Sequence, residues 1–196
     1  IAGGREALVR SVEGAEDSES EGARAMDERK VRAGDVVIGI TASGRAPFVI
    51  GAMKRARELG ATVAAVSANR SSRTFEHADM KIAVEVGPEI VMGSTRMKAG
   101  TAQKLVLNMI TTASMIRMGK VYNNLMVDMR PVNRKLVDRS RRIIRIATGC
   151  DDRTAEEAFA ASDRRPKVAI VMVLLGVGRD EALRLEETDL DRERMT

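Results

Sequence analysis

Three short runs of β-type residues recur through the first half of the chain, each followed by turn chemistry or a helical pattern. Residues 35–41 (DVVIGIT) and 62–67 (TVAAVS) are almost continuously apolar, as strands covered on both faces are. Residues 80–85 (MKIAVE) are more polar at one end and suit a place nearer a sheet edge. Between the first two runs lies a helical pattern over 47–59, with Pro47 in its first turn and Gly60 just past its end. Strand, helix and strand with short links predict a crossover in a parallel sheet. Upstream, residues 15–31 place Glu16, Asp17, Glu19 and Glu21 first and Arg29 and Lys30 last, an order that complements a helix dipole.

Residues 95–118 form the longest helical stretch. Its apolar positions, among them Ala99, Leu105, Val106, Met109, Ile110 and Ile116, wrap nearly all round it. Such a helix is expected to be buried between layers or subunits, which also implies an oligomer. After Asn133 a charged helix runs to Thr148, with Gly149 as its stop. Three short helical segments follow at 154–162, 166–175 and 179–187. The pattern predicts an α/β fold with a parallel sheet in residues 1–132, and a small C-terminal helical region in 133–196.

Composition narrows the function. Of the 196 residues, 44% are hydrophobic and 31% charged, enough for one ordinary core. Aromatic side chains are scarce, and without base-stacking platforms or a matching motif the chain does not read as a nucleic-acid binder. The net charge of +5 favours an anionic ligand. Much of it lies between Arg130 and Arg145, a run that reads as a solvated helix face. No apolar run is long enough to span a bilayer. The single cysteine, Cys150, permits no internal disulfide, and a cytoplasmic setting is expected. His77 stands alone on a polar stretch, so no metal site is expected.

Two loops carry candidate chemistry. Thr41-Ala42-Ser43-Gly44-Arg45-Ala46-Pro47 follows the first strand and opens a helix. Its small residues let backbone N–H groups approach a ligand, its hydroxyls can donate to phosphate oxygens, and a helix N-terminus adds partial positive charge. Such loops sit at the C-terminal strand ends, where open α/β sheets bind ligands. The second loop, from Pro88 to Lys98, contains Glu89, Ser94, Thr95 and Arg96. Ser94 or Thr95 could cap the helix that follows. A Ser-Thr-Arg cluster with Lys98 one turn later offers more donors than a cap requires, as an anion site does.

The runs GITASGRAPFV, GPEIVMGSTRMKAGTAQKLVLNM and GKVYNNLMVDMRPVN resemble the sugar isomerase (SIS) domain of bacterial N-acetylmuramic acid 6-phosphate etherases. So do the opening IAGGREALVRSVEGAEDS and the later PKVAIVM. The resemblance implies a flavodoxin-like SIS fold, a three-layer doubly wound parallel sheet, and a homodimeric lyase. That lyase cleaves the D-lactyl ether of its 6-phosphorylated amino sugar with no metal or redox cofactor. It places an acid/base glutamate in the segment around Glu13, with Glu13 the first choice and Glu16 the second. It makes Thr41, Ser43, Gly44, Arg45, Glu89, Ser94, Thr95 and Lys98 contacts to phosphate and sugar. It also implies roughly a hundred further family residues ahead of Ile1, carrying another strand and a second catalytic carboxylate. The strand at 35–41 would then show an open apolar edge. Ala46 stands where the family usually has Thr, and residues 67–70 lack the family's usual Cys. Glucokinase regulatory proteins, which bind fructose phosphates on the same fold, are the non-enzymatic alternative.

Overall fold

The computed structural model describes residues 1–194. Contacts divide the chain into two compact units, Ile1–Asn108 and Met109–Thr196.

The first unit is built on three parallel strands, β1 (Val36–Thr41), β2 (Thr62–Ser67) and β3 (Met80–Ala83), in the order β1-β2-β3. The β1–β2 register runs from Val36 opposite Thr62 to Thr41 opposite Ser67. The parallel α/β arrangement expected from the apolar runs is therefore present. β1 is an edge strand among the described residues, and Val36 at its start is 60% exposed.

Helix α1 (Glu19–Glu28) packs on α2 (Pro47–Glu58), and α2 lies against β1 and β2. Met53, Ala52 and Ala56 of α2 join Val63 and Ala65 of β2 and Met26 of α1 in one apolar cluster. The two helices cross at backbone distance. A Cβ on Gly51 would lie 2.0 Å from the carbonyl oxygen of Glu19, and one on Gly22 would lie 2.0 Å from that of Phe48. Ion pairs flank the crossing, Lys54 with Glu19 at 2.9 Å and Arg55 with Asp27 at 2.8 Å. α1 is shorter than its charge pattern suggests. Ser18 is extended and caps it, accepting from the Glu21 amide at 3.2 Å, and Lys30 turns left-handed just beyond its end.

Helix α3 (Lys98–Arg117) finds little cover within the chain itself. Its apolar circumference predicts burial, yet only Ala99 and Val106 along it are buried. Leu105, Met109 and Ile116 are each more than half exposed. Apolarity shows what a helix can cover, but burial needs a partner surface, and the described residues supply one along a narrow stripe only.

In the second unit the end of α3 is followed by a two-stranded antiparallel hairpin, β4 (Val121–Tyr122) and β5 (Leu125–Met126). Asn123, with φ +53°, makes the turn. Helices α4 (Arg134–Thr148), α5 (Asp152–Ala161) and α6 (Pro166–Leu175) pack together over Ile143, Ile144, Phe159, Ala169 and Ile170. α7 (Arg179–Arg194) follows and runs beyond the segment 179–187 read from the sequence. Asn133 caps α4 through the Leu136 amide at 2.9 Å, and Asp151 caps α5 through the Thr154 amide at 2.8 Å. That amide bond holds the Asp151 carboxyl below its ordinary value. The basic run of α4 is not wholly solvated, because Arg141 pairs with Glu156 and Arg145 with Asp152 of α5. The sequence division at 132/133 followed the onset of charge, whereas the contacts group the hairpin with the helices after it.

Candidate functional site

The loop after β1 is held by its carbonyls. The oxygen of Ala42 accepts from the Ser67 hydroxyl at 3.3 Å and the Ala68 amide at 3.2 Å, and that of Ser43 accepts from Asn69 Nδ2 at 3.1 Å. Gly44 is required here. Its φ is +79°, and a Cβ would lie 2.6 Å from the Ser72 Cα. The Gly44 amide donates to Thr41 Oγ1 at 3.2 Å and the Arg45 amide to Ser43 Oγ at 3.3 Å. A hydroxyl that accepts from an amide keeps its own proton to give elsewhere, so both side chains remain donors toward a ligand.

The start of α2 is less open than the sequence suggests. Ala46 at the N-cap makes no side-chain cap, and Pro47 has no N–H. The Phe48 amide donates to the backbone oxygen of Glu16 at 2.9 Å. The helix terminus therefore ties down the segment before α1.

The second loop closes on itself. Glu89 accepts from the amides of Lys98 and Ala99, one on each carboxylate oxygen, both at 3.0 Å. Those amides of Ala99 and Lys98 hold its carboxyl below the ordinary value. Lys98 Nζ donates to the carbonyl of Pro88 at 2.8 Å. Glu89 and Lys98 thus fasten the loop to the start of α3, a capping role the sequence reading gave to Ser94 or Thr95. The Thr95 carbonyl accepts from the Gly100 amide at 2.9 Å.

A cavity of about 420 Å³ in the first unit runs along β1 and α2. Its polar lining is Thr41, Thr95, Glu16 and Gln103, set against an apolar wall that includes Ile38, Ile40, Phe48 and Val49. Of the residues singled out in the sequence, Thr41, Thr95 and Glu16 come together here. Ser43, Gly44, Arg45, Glu89, Ser94 and Lys98 lie on the two loops but do not line the cavity. Glu13 does not line it either; it is exposed and accepts from the Ser11 hydroxyl at 3.0 Å. Gln103 was not singled out. Its signal is its place in the stripe Ala99, Gln103 and Val106, a polar residue at helical spacing between two that the fold buries. Among the described residues no group of His, Cys, Asp and Glu could hold a metal ion.

A family model for the glucokinase regulatory protein N-terminal SIS domain matches residues 1–57. An N-acetylmuramic acid 6-phosphate etherase from Oenococcus oeni is 53% identical over 93% of this chain and 61% of its own length. One from Clostridium acetobutylicum is 55% identical over 94% of the chain and 61% of its own length. One from an Exiguobacterium species is 54% identical over 96% and 65%. The chain is similar to these etherases along nearly all of its length. It spans about three-fifths of the length of the etherases it matches. Among the described residues no helix is long and apolar enough to cross a membrane.

Proposed function

We propose that this chain is the larger part of an N-acetylmuramic acid 6-phosphate etherase, a lyase that yields N-acetylglucosamine 6-phosphate and D-lactate. The observation that carries the reading is the cavity that joins Glu16 to Thr41 and Thr95, in a chain more than half identical to proteins of that name. The C2 proton is acidic beside the open-chain aldehyde. A carboxylate removes it, the C2–H electrons form the C2=C3 bond, and the C3–O bond breaks. The departing lactate oxygen takes a proton from an acid. Water then adds its hydroxyl to C3, and C2 regains a proton.

Glu16 is the base the cavity favours over Glu13. Thr41, Ser43, Gly44, Arg45, Ser94 and Thr95 supply donors to phosphate and sugar, while Glu89 and Lys98 hold the second loop in place. The cycle needs a second carboxyl with a separate pKa, and the family resemblance puts it in the part of the relatives' length not matched here. A cytoplasmic, homodimeric protein is the setting of this reading. The exposed apolar residues of α3 support self-association.

The test supplies N-acetylmuramic acid 6-phosphate to this chain joined to the segment that completes the relatives' length. D-lactate release is expected, lost in Glu16→Gln and largely kept in Glu13→Gln. A folded protein that releases no lactate would sink the etherase reading. The match of residues 1–57 to the regulatory-protein domain would then favour a sensor that binds sugar phosphate without turnover.

A further inference from the structure

Ala99, Gln103 and Val106 share the inward stripe of α3, and the polar member of the three has an unmatched donor. Gln103 Nε2 is buried and has no hydrogen-bond partner. Native structures rarely leave a buried amide donor unmatched without a use for it. This one lines the same cavity as Glu16, Thr41 and Thr95.

The lining around it decides what kind of acceptor it suits. Ile38, Ile40, Phe48 and Val49 give that cavity an apolar wall, and among the described residues no lysine or arginine lines it. A phosphate is matched by charged donors, of which Arg45 on the first loop is one. A neutral amide on an apolar wall suits a neutral carbonyl that carries its own apolar group. In a 2-acetamido sugar phosphate, that description fits the acetamido substituent on C2.

We propose that Gln103 reads this substituent, with Nε2–H donating to the acetamido oxygen while the methyl group packs on the apolar wall. The assignment rests on the sugar-phosphate reading of the cavity. It fixes C2 in the cavity that Glu16 lines, and C2 is the carbon whose proton must be removed. It also makes Gln103 a specificity determinant. A 2-hydroxyl is too short to bring an acceptor to the same place, and a 2-ammonium would set donor against donor.

Calorimetric titration of the chain, joined to the segment that completes the relatives' length, with N-acetylglucosamine 6-phosphate and glucose 6-phosphate tests the proposal. The unsubstituted chain is expected to prefer the acetamido sugar on the order of tenfold, the effect of one well-placed neutral hydrogen bond. Gln103→Met keeps the side-chain length and removes the donor, so the affinity ratio should fall to about one. Gln103→Ala serves as a second variant, and the helical circular dichroism of each is compared with the parent. A preference that persists in either folded variant overturns the role of Gln103, as does a parent chain that binds both sugars equally. In both cases the sugar-phosphate reading stands. Binding of neither sugar by the parent would remove that reading and the Gln103 assignment together.

Discussion

α2 and α3 each follow a strand through a loop rich in hydroxyls, yet the protein treats them differently. α2 buries Phe48, Ile50, Gly51, Ala52, Met53 and Ala56, whereas α3, the longer of the two, buries only Ala99 and Val106. Their N-termini differ as well. The first α2 amide is held by a backbone oxygen, that of Glu16, and the first α3 amides by a carboxylate, that of Glu89. One helix is a fixed part of the core, and the other is an apolar rod with a titratable clasp. The difference lies in what packs against each helix, since both have ample apolar residues.

The largest effect should come from the α1–α2 crossing. Gly51→Ala drives a methyl into the Glu19 carbonyl, and backbone cannot yield as a flexible side chain does. A loss of about 3 kcal/mol in urea unfolding is expected, at the upper end of overpacking costs. Ile116→Ser on α3, at a position 51% exposed, should change the same measurement by about 0.5 kcal/mol or less. In sedimentation equilibrium Ile116→Ser should weaken self-association. If the two substitutions cost alike, the contrast between the helices fails.

Next in size is Gly44→Ala, which meets both an unfavourable φ and the Ser72 backbone. It should weaken sugar-phosphate binding at least tenfold while leaving the thermal midpoint of the second unit nearly unchanged. Removal of the α4 cap in Asn133→Ala should cost about 1 kcal/mol, read by chemical denaturation. The smallest effect separates the two helix starts by pH. The Glu89 carboxyl titrates below its ordinary value of 4.5 in the folded chain. Its stabilising contribution is therefore complete above that value and fades as pH falls through the lowered one. Acidification should fray the start of α3 before that of α2, and Glu89→Gln should remove the pH dependence. Amide exchange at Lys98 and Ala99 compared with Phe48 is the measurement, and equal pH dependence at both would contradict it.

Where proline and glycine punctuate the chain, the sequence was legible. Pro47 and Gly60 bracket α2 and Pro166 and Gly176 bracket α6, so both helices form close to where the pattern predicts. β1 and β2 were legible because continuous apolar runs of that length suit strands covered on both faces. The β4–β5 hairpin was not, because strands of two residues carry no periodicity, although Asn123-Asn124 between short β-type pairs is a turn signal. The exposure of α3 could not be read, because burial depends on a partner surface that helical periodicity does not encode. Of the candidate site residues, Thr41 and Thr95 were legible as hydroxyls on loops that follow strands, and both line the cavity. That Glu16 rather than Glu13 reaches the cavity could not be read, because it depends on a tertiary contact, the bond between the Glu16 oxygen and the Phe48 amide.

That bond has a consequence for how the site can change over time. The contact that sets residue 16 in place uses its main chain, so the fold reserves a position there without dictating which side chain fills it. On the proposed role of Glu16 as the base, a lineage could exchange the glutamate for another residue and keep the architecture intact, passing from catalyst to passive receptor in one substitution. Chemistry and scaffold are inherited separately at this point of the molecule.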